Sequence, residues 1–322
     1  MLYVNNQNIT DPRFNLALEE FLLRHVQIEE PILLFYVNEP SVIIGRNQNT
    51  LEEIDPDYVK ENGVHVVRRL SGGGAVYHDL GNLNFSFITT GAENLHNFQL
   101  FTEPVIRVLN QLNVPAELHG RSDIFVAGKK ISGNAQYLTR NRMFSHGTIL
   151  FDSDLEALLH ALNPRQIKIE SKAVQSIRSA VANIRDWLPE MTIGGLKQAI
   201  LDGIFGAGGA STYDLSAEEW AQVQAIRAER YDTWEWNIGR SPRFSVRKRV
   251  GKIGARVDVE RGRIKGIRFV GEFAGFNEVQ GLEAHLIGVR YDRDELAAAL
   301  HGRFPAGYVG KLPVATLLDL LC

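Results

Sequence analysis

The chain has 322 residues, of which 44% are hydrophobic and 23% charged, and its formal net charge of −3 is ordinary for a soluble globular enzyme. No apolar run reaches the length of a membrane span, and the first residues, MLYVNNQNIT, lack the features of a signal peptide, so a cytoplasmic protein is expected. The single cysteine, Cys322, excludes an internal disulfide and a cysteine-based metal cluster, and its terminal position argues against a thiol nucleophile.

The first third of the chain is predicted to alternate between helix and strand. Asp11-Pro12 is typical of an N-cap followed by proline at the first helical position, which opens a helix through about His25. Residues 97–112 have helical spacing, and Pro104 is expected in the first turn because a helix interior tolerates proline poorly. Short apolar runs between turn residues predict four strands: 31–37, 41–45, 64–70 and 81–89.

Further along, two segments alternate about a tight turn and predict β-hairpins: 122–138 about Ala127-Gly128-Lys129, and 253–270 about Gly262. Residues 143–151 are predicted to form another strand. Helical spacing predicts five more helices: 154–164, 192–206, 216–230, 292–304 and 314–321. The third of these opens with Ser216 and Glu219 at capping-box spacing.

Turn-forming residues and a change of charge coincide near residue 240. Gly239, Ser241 and Pro242 indicate a linker. Residues 241–322 carry 14 Lys and Arg against 9 Asp and Glu, whereas residues 1–240 carry 21 against 29. The pattern predicts two domains, 1–240 and 241–322, and indicates an acidic partner for the second, although many proteins show a charge difference of this size without one.

The stretch RRLSGGGAVYHDLGN (68–82) contains three consecutive glycines after two arginines. Consecutive glycines permit positive φ and let backbone N–H groups converge on an anion, and Arg68 and Arg69 add permanently charged donors. The stretch matches neither GxxxxGK[ST] nor a GxGxxG that opens a helix. It predicts a phosphate-binding turn between strands, and the alternative is a glycine-rich hairpin with solvated arginines.

The stretch GRSDIFVAGKKISGNAQ (120–136) is the second candidate site. Asp123 offers carboxylate oxygens to a magnesium ion. Strict alternation places Lys130, Ser132 and Asn134 on one face of the strand, whereas Lys129 at the turn is expected to be solvated. A lysine pair taken alone is typical of a protein surface.

These two stretches, followed by SHGTILFDSDLEALLHALNP and KAVQSIRSAVANI, resemble the lipoate-protein ligases of the A type in order and spacing. The resemblance covers the whole chain, because those bacterial ligases also carry a small C-terminal domain with endings like GLEAHLIGVRYDRDEL. It implies an α+β fold: a biotin/lipoate protein ligase-like mixed β-sheet catalytic domain with flanking helices, and a small α+β accessory domain.

The resemblance also implies an activity. ATP would activate lipoate to lipoyl-adenylate with release of pyrophosphate, and the lipoyl group would pass to a lysine of an E2 lipoyl domain or of the glycine-cleavage H protein. ATP and Mg²⁺ are the implied cofactors, and lipoate the substrate. A monomer is expected. A pI near 6.3 and the lack of a helix-turn-helix pattern argue against nucleic acid as a partner.

Carried over position by position, the resemblance assigns three sets of residues. Lys130 is the expected catalytic residue, acting as a fixed positive charge, and Asp123 is the expected metal ligand. The expected ATP- and adenylate-binding positions are Arg69, Gly74, Ala75, Val76, Tyr77, Asp123, Lys130 and Arg178. The expected lipoate-binding positions are Lys130, Ser71, Gly73, Gly74, His78 and His146, and the strand around Tyr36 would border a tunnel for the acyl chain.

Four positions depart from the family pattern. Ala173 stands where glycine is common, and Tyr36 replaces a tryptophan found in some members, which is a milder change. Ser122 stands in GRSD where the family reads GRND, and Ala180 stands in SIRSAVANI where an arginine is usual. Loss of that guanidinium would weaken retention of the adenylate, unless Arg178 or Arg185 compensates, or would adapt the loop to another acyl donor or acceptor.

Three other functions are compatible with parts of the sequence. A lipoyl or octanoyl transferase of the same fold commonly forms a thioester, for which Cys322 is poorly placed. A biotin ligase would carry a GRGRxGR-like signature, which is absent. A non-catalytic lipoate- or adenylate-binding protein would favour a DNA-binding appendage, whereas residues 243–268 have the pattern of strands.

Overall fold

The structure is a computed structural model that describes residues 1–164, 169–271, 276–303, 308–309 and 312–322. The chain divides into two compact units. Unit 1 consists of Met1–Arg46, Ile54–Asn163 and Ser176–Thr233, and unit 2 of Asn47–Glu53, Pro164–Gln175 and Trp234–Cys322. Unit 2 thus includes three short stretches of the first 240 residues, 47–53, 164–175 and 234–240, and the domain boundary at residue 240 stays a prediction.

The described residues form sixteen strands: β1 (Leu2–Asn5), β2 (Ile32–Val37), β3 (Ser41–Ile44), β4 (His65–Arg68), β5 (Val76–His78), β6 (Asn82–Thr90), β7 (Ala116–His119), β8 (Asp123–Val126), β9 (Lys129–Thr139), β10 (Arg142–Leu150), β11 (Ile169–Ser171), β12 (Phe244–Val250), β13 (Ile253–Glu260), β14 (Arg263–Val270), β15 (Tyr308–Val309) and β16 (Leu312–Pro313). The same residues form nine α-helices: α1 (Pro12–Arg24), α2 (Pro56–Glu61), α3 (Phe98–Gln111), α4 (Leu155–Ala161), α5 (Ile193–Phe205), α6 (Ala217–Ile226), α7 (Phe276–Leu286), α8 (Arg293–Arg303) and α9 (Val314–Leu321). Short 3₁₀ or π-helical turns lie at 50–52, 185–187, 206–208, 227–231 and 235–239.

The predicted helices and strands are confirmed, and local capping explains where the helices begin. The Asp11 side chain accepts a hydrogen bond from the Arg13 N–H and caps α1. Ser216 and Glu219 make both hydrogen bonds of a capping box at the start of α6. Each cap satisfies N–H groups that have no partner within the helix.

Pro104 lies inside α3, and the prediction that it occupies the first turn was wrong. The helix continues on both sides because one face carries Phe101, Val105 and Val108, which are buried in the core of unit 1. Burial of that face outweighs the hydrogen bond that proline cannot donate. Pro104 leaves the Leu100 carbonyl without its usual helical donor.

Several short elements were not predicted from the sequence: β1, α2, β5, β7, β11, α7, β15 and β16. The start of α2 repeats the signal that identified α1, because Asp55 caps a helix that opens with Pro56. The short strands have too few residues for alternation to distinguish them from loop.

A seven-stranded mixed sheet, in the order β1-β2-β6-β10-β9-β8-β7, forms the centre of unit 1. One face is apolar and packs against α3 and α5; from β6 it carries Leu83, Phe85 and Phe87. Helix α1 packs against strands β6 and β10. Because residues alternate between faces, Asn84 and Ser86 project from the other face.

A separate three-stranded sheet in unit 1 has the order β4-β3-β5. Strand β3 pairs in parallel with β4 and antiparallel with β5. The glycine-rich stretch connects β4 to β5, so it crosses the end of β3. The two strands it joins are not neighbours, and the hairpin alternative was therefore wrong.

Unit 2 contains a four-stranded antiparallel sheet, β11-β12-β13-β14. Its inner face and helices α7, α8 and α9 share one apolar core, in which Val257, Leu282 and Leu317 are buried. The hairpin predicted about Gly262 is confirmed: Arg261 and Gly262 both have positive φ between β13 and β14. Within the described parts of the chain, no helix is both long enough and apolar enough to cross a membrane.

Gly81 is predicted to be the glycine of unit 1 least tolerant of a side chain. A Cβ there would lie 2.0 Å from the Asp152 carbonyl oxygen and 2.6 Å from the Ser153 nitrogen, and both are backbone atoms that cannot rotate away. We expect Gly81→Ala to lower the free energy of unfolding by about 1–3 kcal/mol in urea titrations. Gly208→Ala, where a Cβ meets no atom within 4 Å, is the control. Equal stability of the two variants would contradict the prediction.

Candidate functional site

A row of polar side chains is buried on the face of the seven-stranded sheet opposite its apolar core. Asn84 and Ser86 on β6 are 1% and 0% exposed. The strand register places Tyr36 opposite Asn84 and His146 opposite Ser86, and directly paired residues project to the same side. We call Tyr36, Asn84, Ser86 and His146 the buried polar strip.

Two buried polar atoms, one in this strip and one on His78 of β5, have no hydrogen-bond partner among the described residues. They are the Ser86 Oγ and the His78 Nε2. Buried polar atoms almost always have a partner, and an exception marks a place where another molecule can supply one. The pKa of Tyr36 is raised well above its usual value by burial and by the Glu19 carboxylate. The strip therefore offers hydrogen-bonding groups to a bound molecule.

A chain of buried hydrogen bonds joins α1 to the glycine-rich stretch. The His146 Nδ1 lies 2.9 Å from the Glu19 carboxylate, and its Nε2 lies 2.7 Å from the Ser71 Oγ. A carboxylate accepts only, so Nδ1 carries a proton, and Nε2 shares a hydrogen bond with the Ser71 hydroxyl. Glu19 is 2% exposed and fixes this orientation.

Arg69 holds the glycine loop (residues 69–75) together. Its Nη2 donates to the Gly72 and Gly74 carbonyls at 2.6 and 2.8 Å, and its Nη1 donates to the Ile43 carbonyl of β3. Its Nε donates to the Ser71 Oγ. The guanidinium is thus used to shape the loop, and its direct contact with a nucleotide stays a prediction.

Arg68 is fully buried, so the interpretation of its guanidinium as a donor available to phosphate was wrong. Its Nη1 donates to the Gly45 carbonyl at 2.9 Å. A buried guanidinium needs such acceptors, so Arg68 anchors β4 to the end of β3.

The glycine loop adopts the conformation that its sequence indicates. Gly73 has φ of +89°, which side chains disfavour. A Cβ on Gly74 would lie 2.9 Å from the Ser176 Oγ, and that hydroxyl accepts the Ala75 N–H at 2.8 Å. Ser176 therefore packs directly on the loop.

The residues after the loop form β5. Tyr77 packs into a second apolar cluster with Val42 and Ile44, and burial, together with Asp79, raises its pKa to about 12. Its ring therefore faces away from the buried polar strip. Val76 pairs with Ile43 of β3. Because the strand order is β4-β3-β5, β5 is an edge strand of this sheet within the described residues.

A β-bulge determines the direction of Lys130. Strand pairing matches Phe125 with Lys130 and Ile124 with Ser132, which leaves Ile131 as an extra residue. Lys130 therefore shares a face with Asp123 and Gly133, and the prediction that it shares one with Ser132 and Asn134 was wrong. Simple alternation cannot anticipate the inserted residue.

The Lys130 ammonium is held in place by two features of this face. Its Nζ lies 2.8 Å from the Asp123 Oδ2, and both side chains are partly exposed. Its terminal atoms also lie 3.2 Å from where a Cβ of Gly133 would stand, so that glycine gives the side chain room. Lys129, in contrast, is exposed at the turn.

The segment 176–182 contacts both sequence motifs. At one end Ser176 packs on the glycine loop. At the other, the Lys130 N–H donates to the Ala180 carbonyl and the Ala182 N–H donates to the Lys130 carbonyl. The position where an arginine is usual thus contributes a backbone acceptor here. Arg178 is exposed, and its Nη2 donates to the Leu162 carbonyl rather than towards the loop.

Sequence reasoning missed Glu19, Asn84, Ser86 and Ser176. The alternation N-L-N-F-S-F over 82–87 was visible, but it indicates a solvated polar face unless the tertiary structure covers that face. Glu19 lies in a helix more than a hundred residues from His146, so spacing carries no signal of their contact. Among the described residues, no cluster of three or more His, Cys, Asp or Glu side chains could hold a metal ion.

Comparison with known proteins assigns both parts of the chain. Residues 11–205 match the lipoyl protein ligase A/B catalytic domain, and residues 237–321 match the bacterial lipoate protein ligase C-terminus. The lipoate-protein ligase LplJ of Bacillus subtilis (strain 168) is 49% identical over 330 residues, and lipoate–protein ligase 1 of Staphylococcus aureus (strain Mu50) is 43% identical over 327. Each alignment covers 100% of both chains.

Solved structures are similar over most of the chain. A lipoate-protein ligase A bound with ATP is 32% identical, with a TM-score of 0.61 over 71% of this chain and 94% of that one. LipL1 of P. falciparum in complex with lipoate is 25% identical, with a TM-score of 0.64 over 99% and 97%. A structure from the bipartite ligase and E2 lipoyl domain of Thermoplasma acidophilum is 28% identical, with a TM-score of 0.63 over 78% and 98%.

The orientation of His146 is predicted to depend on Glu19. In ¹⁵N spectra of the imidazoles we expect the Nδ1-protonated form in the wild type and in Glu19→Gln, whose amide oxygen still accepts that proton. Glu19→Leu is expected to lose this preference. Glu20→Leu is the matched control, because Glu20 is equally buried but pairs with Arg24, Arg230 and Tyr231. The same tautomer in Glu19→Leu as in the wild type would contradict the prediction.

Because of His78, the free energy of unfolding is predicted to decrease as the pH is lowered. Burial, assisted by Arg69 and His146, lowers the pKa of His78 to about 3 from 6.5. Between these values the unfolded chain binds a proton that the folded chain does not, so stability falls as the pH falls. We expect a contribution of up to about 1.4 kcal/mol per pH unit below pH 6.

The test is urea unfolding between pH 4 and 8 of wild type and His78→Asn. The asparagine keeps an acceptor for the Asn38 amide, which now lies 2.9 Å from the His78 Nδ1. In the variant, the free energy of unfolding should depend less steeply on pH below pH 6. Identical slopes for the two proteins would show that His78 is not the responsible group.

Proposed function

Because the chain belongs to the lipoate-protein ligase family, we propose a division of the reaction among the residues described above. The enzyme is an ATP-dependent ligase that activates lipoate to lipoyl-AMP, releases pyrophosphate and transfers the lipoyl group to a lysine of an acceptor protein. The observation that supports our assignment best is the packing of one segment, 176–182, on both the glycine loop and Lys130.

Lys130 is proposed to be the catalytic residue. A carboxylate must attack the α-phosphate of ATP to acquire a good leaving group, and negative charge then grows on the phosphate oxygens. A fixed ammonium and backbone N–H groups aimed at those oxygens stabilise that state. The Asp123 carboxylate, 2.8 Å away, holds the Lys130 Nζ ready before the nucleotide arrives. No covalent enzyme intermediate is required, because the adenylate already carries a good leaving group.

The glycine loop is proposed to bind the nucleotide through its backbone from Gly74 to Tyr77, with Arg69 keeping its carbonyls turned inward. A loop whose carbonyls are bound from one side presents its N–H groups to the other. One of them, the Ala75 N–H, donates to the Ser176 Oγ in this structure and would exchange that acceptor for the nucleotide. Arg178 points elsewhere in this structure, so its contact with the adenylate would require the exposed side chain to turn. That contact remains part of the proposal.

Lipoate is proposed to lie along the buried polar strip. Its apolar chain would pack on Tyr36 and on the glycine loop at Gly73, and its polar end would face Ser71, His78 and Lys130. The unpartnered Ser86 Oγ and His78 Nε2 support this placement. LipL1, which has the same fold, has been crystallised with lipoate.

The magnesium ion is assigned to Asp123. Proteins commonly hold Mg²⁺ with one or two carboxylates and leave the remaining positions to substrate phosphates and water. The partly exposed Asp123 fits that requirement, although it is paired with Lys130 here. A bound ion would neutralise charge on the phosphates, and Asp123 would be the residue that holds it.

In the second half-reaction the same Lys130 is proposed to polarise the acyl carbonyl as the acceptor amine attacks. The proposed acceptors are E2 lipoyl domains, such as the one studied with the Thermoplasma acidophilum ligase, and the glycine-cleavage H protein. We further propose that the enzyme is cytoplasmic and monomeric. A thioester mechanism is disfavoured, because the only thiol, Cys322, lies in unit 2 and donates to the Leu318 carbonyl of its own helix.

Pyrophosphate release with lipoate, octanoate, biotin or no acid tests this proposal. We expect release with lipoate and a loss of about a hundredfold or more in Lys130→Ala, because one charge-stabilising contact contributes roughly 10²–10³ to kcat. Lys129→Ala, which removes an exposed neighbouring ammonium, should retain wild-type activity. The proposal fails if no acid stimulates release, or if Lys129→Ala is impaired as strongly as Lys130→Ala.

A further inference from the structure

The sheet of unit 2 has one buried face and one exposed face. On β13, Ala255, Val257 and Val259 point into the apolar core. The residues between them point outward, and Arg256 is exposed there. Because helices α7 and α9 pack on the inner side, the outer side of β12–β14 is open to solvent.

Three arginines lie side by side across this outer face. The register pairs Arg247 of β12 with Arg256 of β13, and Arg256 with Arg268 of β14. All three are exposed; the side chains of Arg247 and Arg256 are 52% and 48% exposed. Like charges directly opposite each other on neighbouring strands repel, so folding alone gives no reason for such a row. We call Arg247, Arg256 and Arg268 the arginine row.

Acidic neighbours compensate the row only in part. Arg247 approaches Glu170 at 3.5 Å, and Arg256 approaches Asp258 at 3.3 Å. Arg268 has no ion-pair partner within the described portion of the chain. The outer face as a whole carries six basic and three acidic side chains: Arg247, Arg249, Arg256, Arg263, Lys265 and Arg268 against Glu170, Asp258 and Glu260.

We propose that the arginine row is a docking surface for an acidic patch on the acceptor protein; the inference rests on the proposed function. A protein face bearing clustered Asp and Glu would supply the charges that the row lacks, and its attraction would accelerate the encounter with the enzyme. The acidic residues interspersed on the same face would repel a continuous phosphate backbone, which disfavours nucleic acid. The net charge of −3 disfavours it as well.

The test uses Arg247→Glu/Arg256→Glu/Arg268→Glu and measures the two half-reactions separately. We expect lipoate-dependent pyrophosphate release to stay within twofold of wild type. The kcat/KM for lipoylation of a purified E2 lipoyl domain should fall at least tenfold at low ionic strength, since electrostatic attraction changes association rates by 10- to 1000-fold. Added salt should lower the kcat/KM of the wild type, and it should leave the kcat/KM of the variant unchanged or raise it.

The matched control reverses three basic residues away from this face: Arg107→Glu/Lys197→Glu/Arg303→Glu. It changes the total charge equally, so it should keep most of the wild-type kcat/KM. A lipoyl domain whose Asp and Glu near the target lysine are changed to Asn and Gln should respond far less to the arginine-row variant. Thermal unfolding of both variants reports whether either has lost its fold.

Three results would overturn the inference. One is an arginine-row variant that lipoylates the domain at the wild-type rate. Another is a control variant that is equally slow. The third is an arginine-row variant that loses binding to a DNA duplex, measured by fluorescence anisotropy, while its rate of lipoylation is unchanged. If wild type releases no pyrophosphate with lipoate, the proposed function has failed instead, so the two failures are distinguishable.

Discussion

The buried guanidinium of Arg69 is the interaction on which the rest of the site depends. It bonds to β3, to two carbonyls of the glycine loop and to Ser71, and Ser71 in turn bonds to His146 and Glu19. A charge with so little exposure is stable only when its donors are satisfied, so the loop cannot relax without leaving the charge unpaired. The loop conformation, the orientation of His146 and the position of α1 are therefore mutually dependent.

The Lys130 ammonium, which we propose to be catalytic, is placed by different means. The bulge at Ile131 turns Lys130 towards Asp123, and the backbone of the 176–182 segment pairs with Lys130 itself. The same segment reaches the glycine loop through Ser176. One stretch of chain thus links the group proposed to stabilise the phosphate charge with the loop proposed to bind the nucleotide, and ordering it would align both at once.

Unit 2 has its own apolar core, and its sheet exposes charge rather than burying it. Unit 1 buries polar side chains on one face of its sheet, where a small substrate can be kept from water. Unit 2 leaves arginines in solvent, where attraction acts over several ångströms and depends on salt. This contrast agrees with a division between chemistry in a closed site and recognition of a macromolecule at an open surface.

The sequence by itself determined most of the capped helices, both hairpins, the positive φ within the three glycines and the two motifs, because each depends on neighbours within a few residues. Tertiary structure decided which side Lys130 faces, that Arg68 is internal, that α3 continues through Pro104 and that Asn84 and Ser86 are covered. Those outcomes follow from strand register and from burial against distant segments, such as Glu19 against His146. Local spacing carries no information about such contacts, because their energy arises only when remote parts of the chain exclude water together.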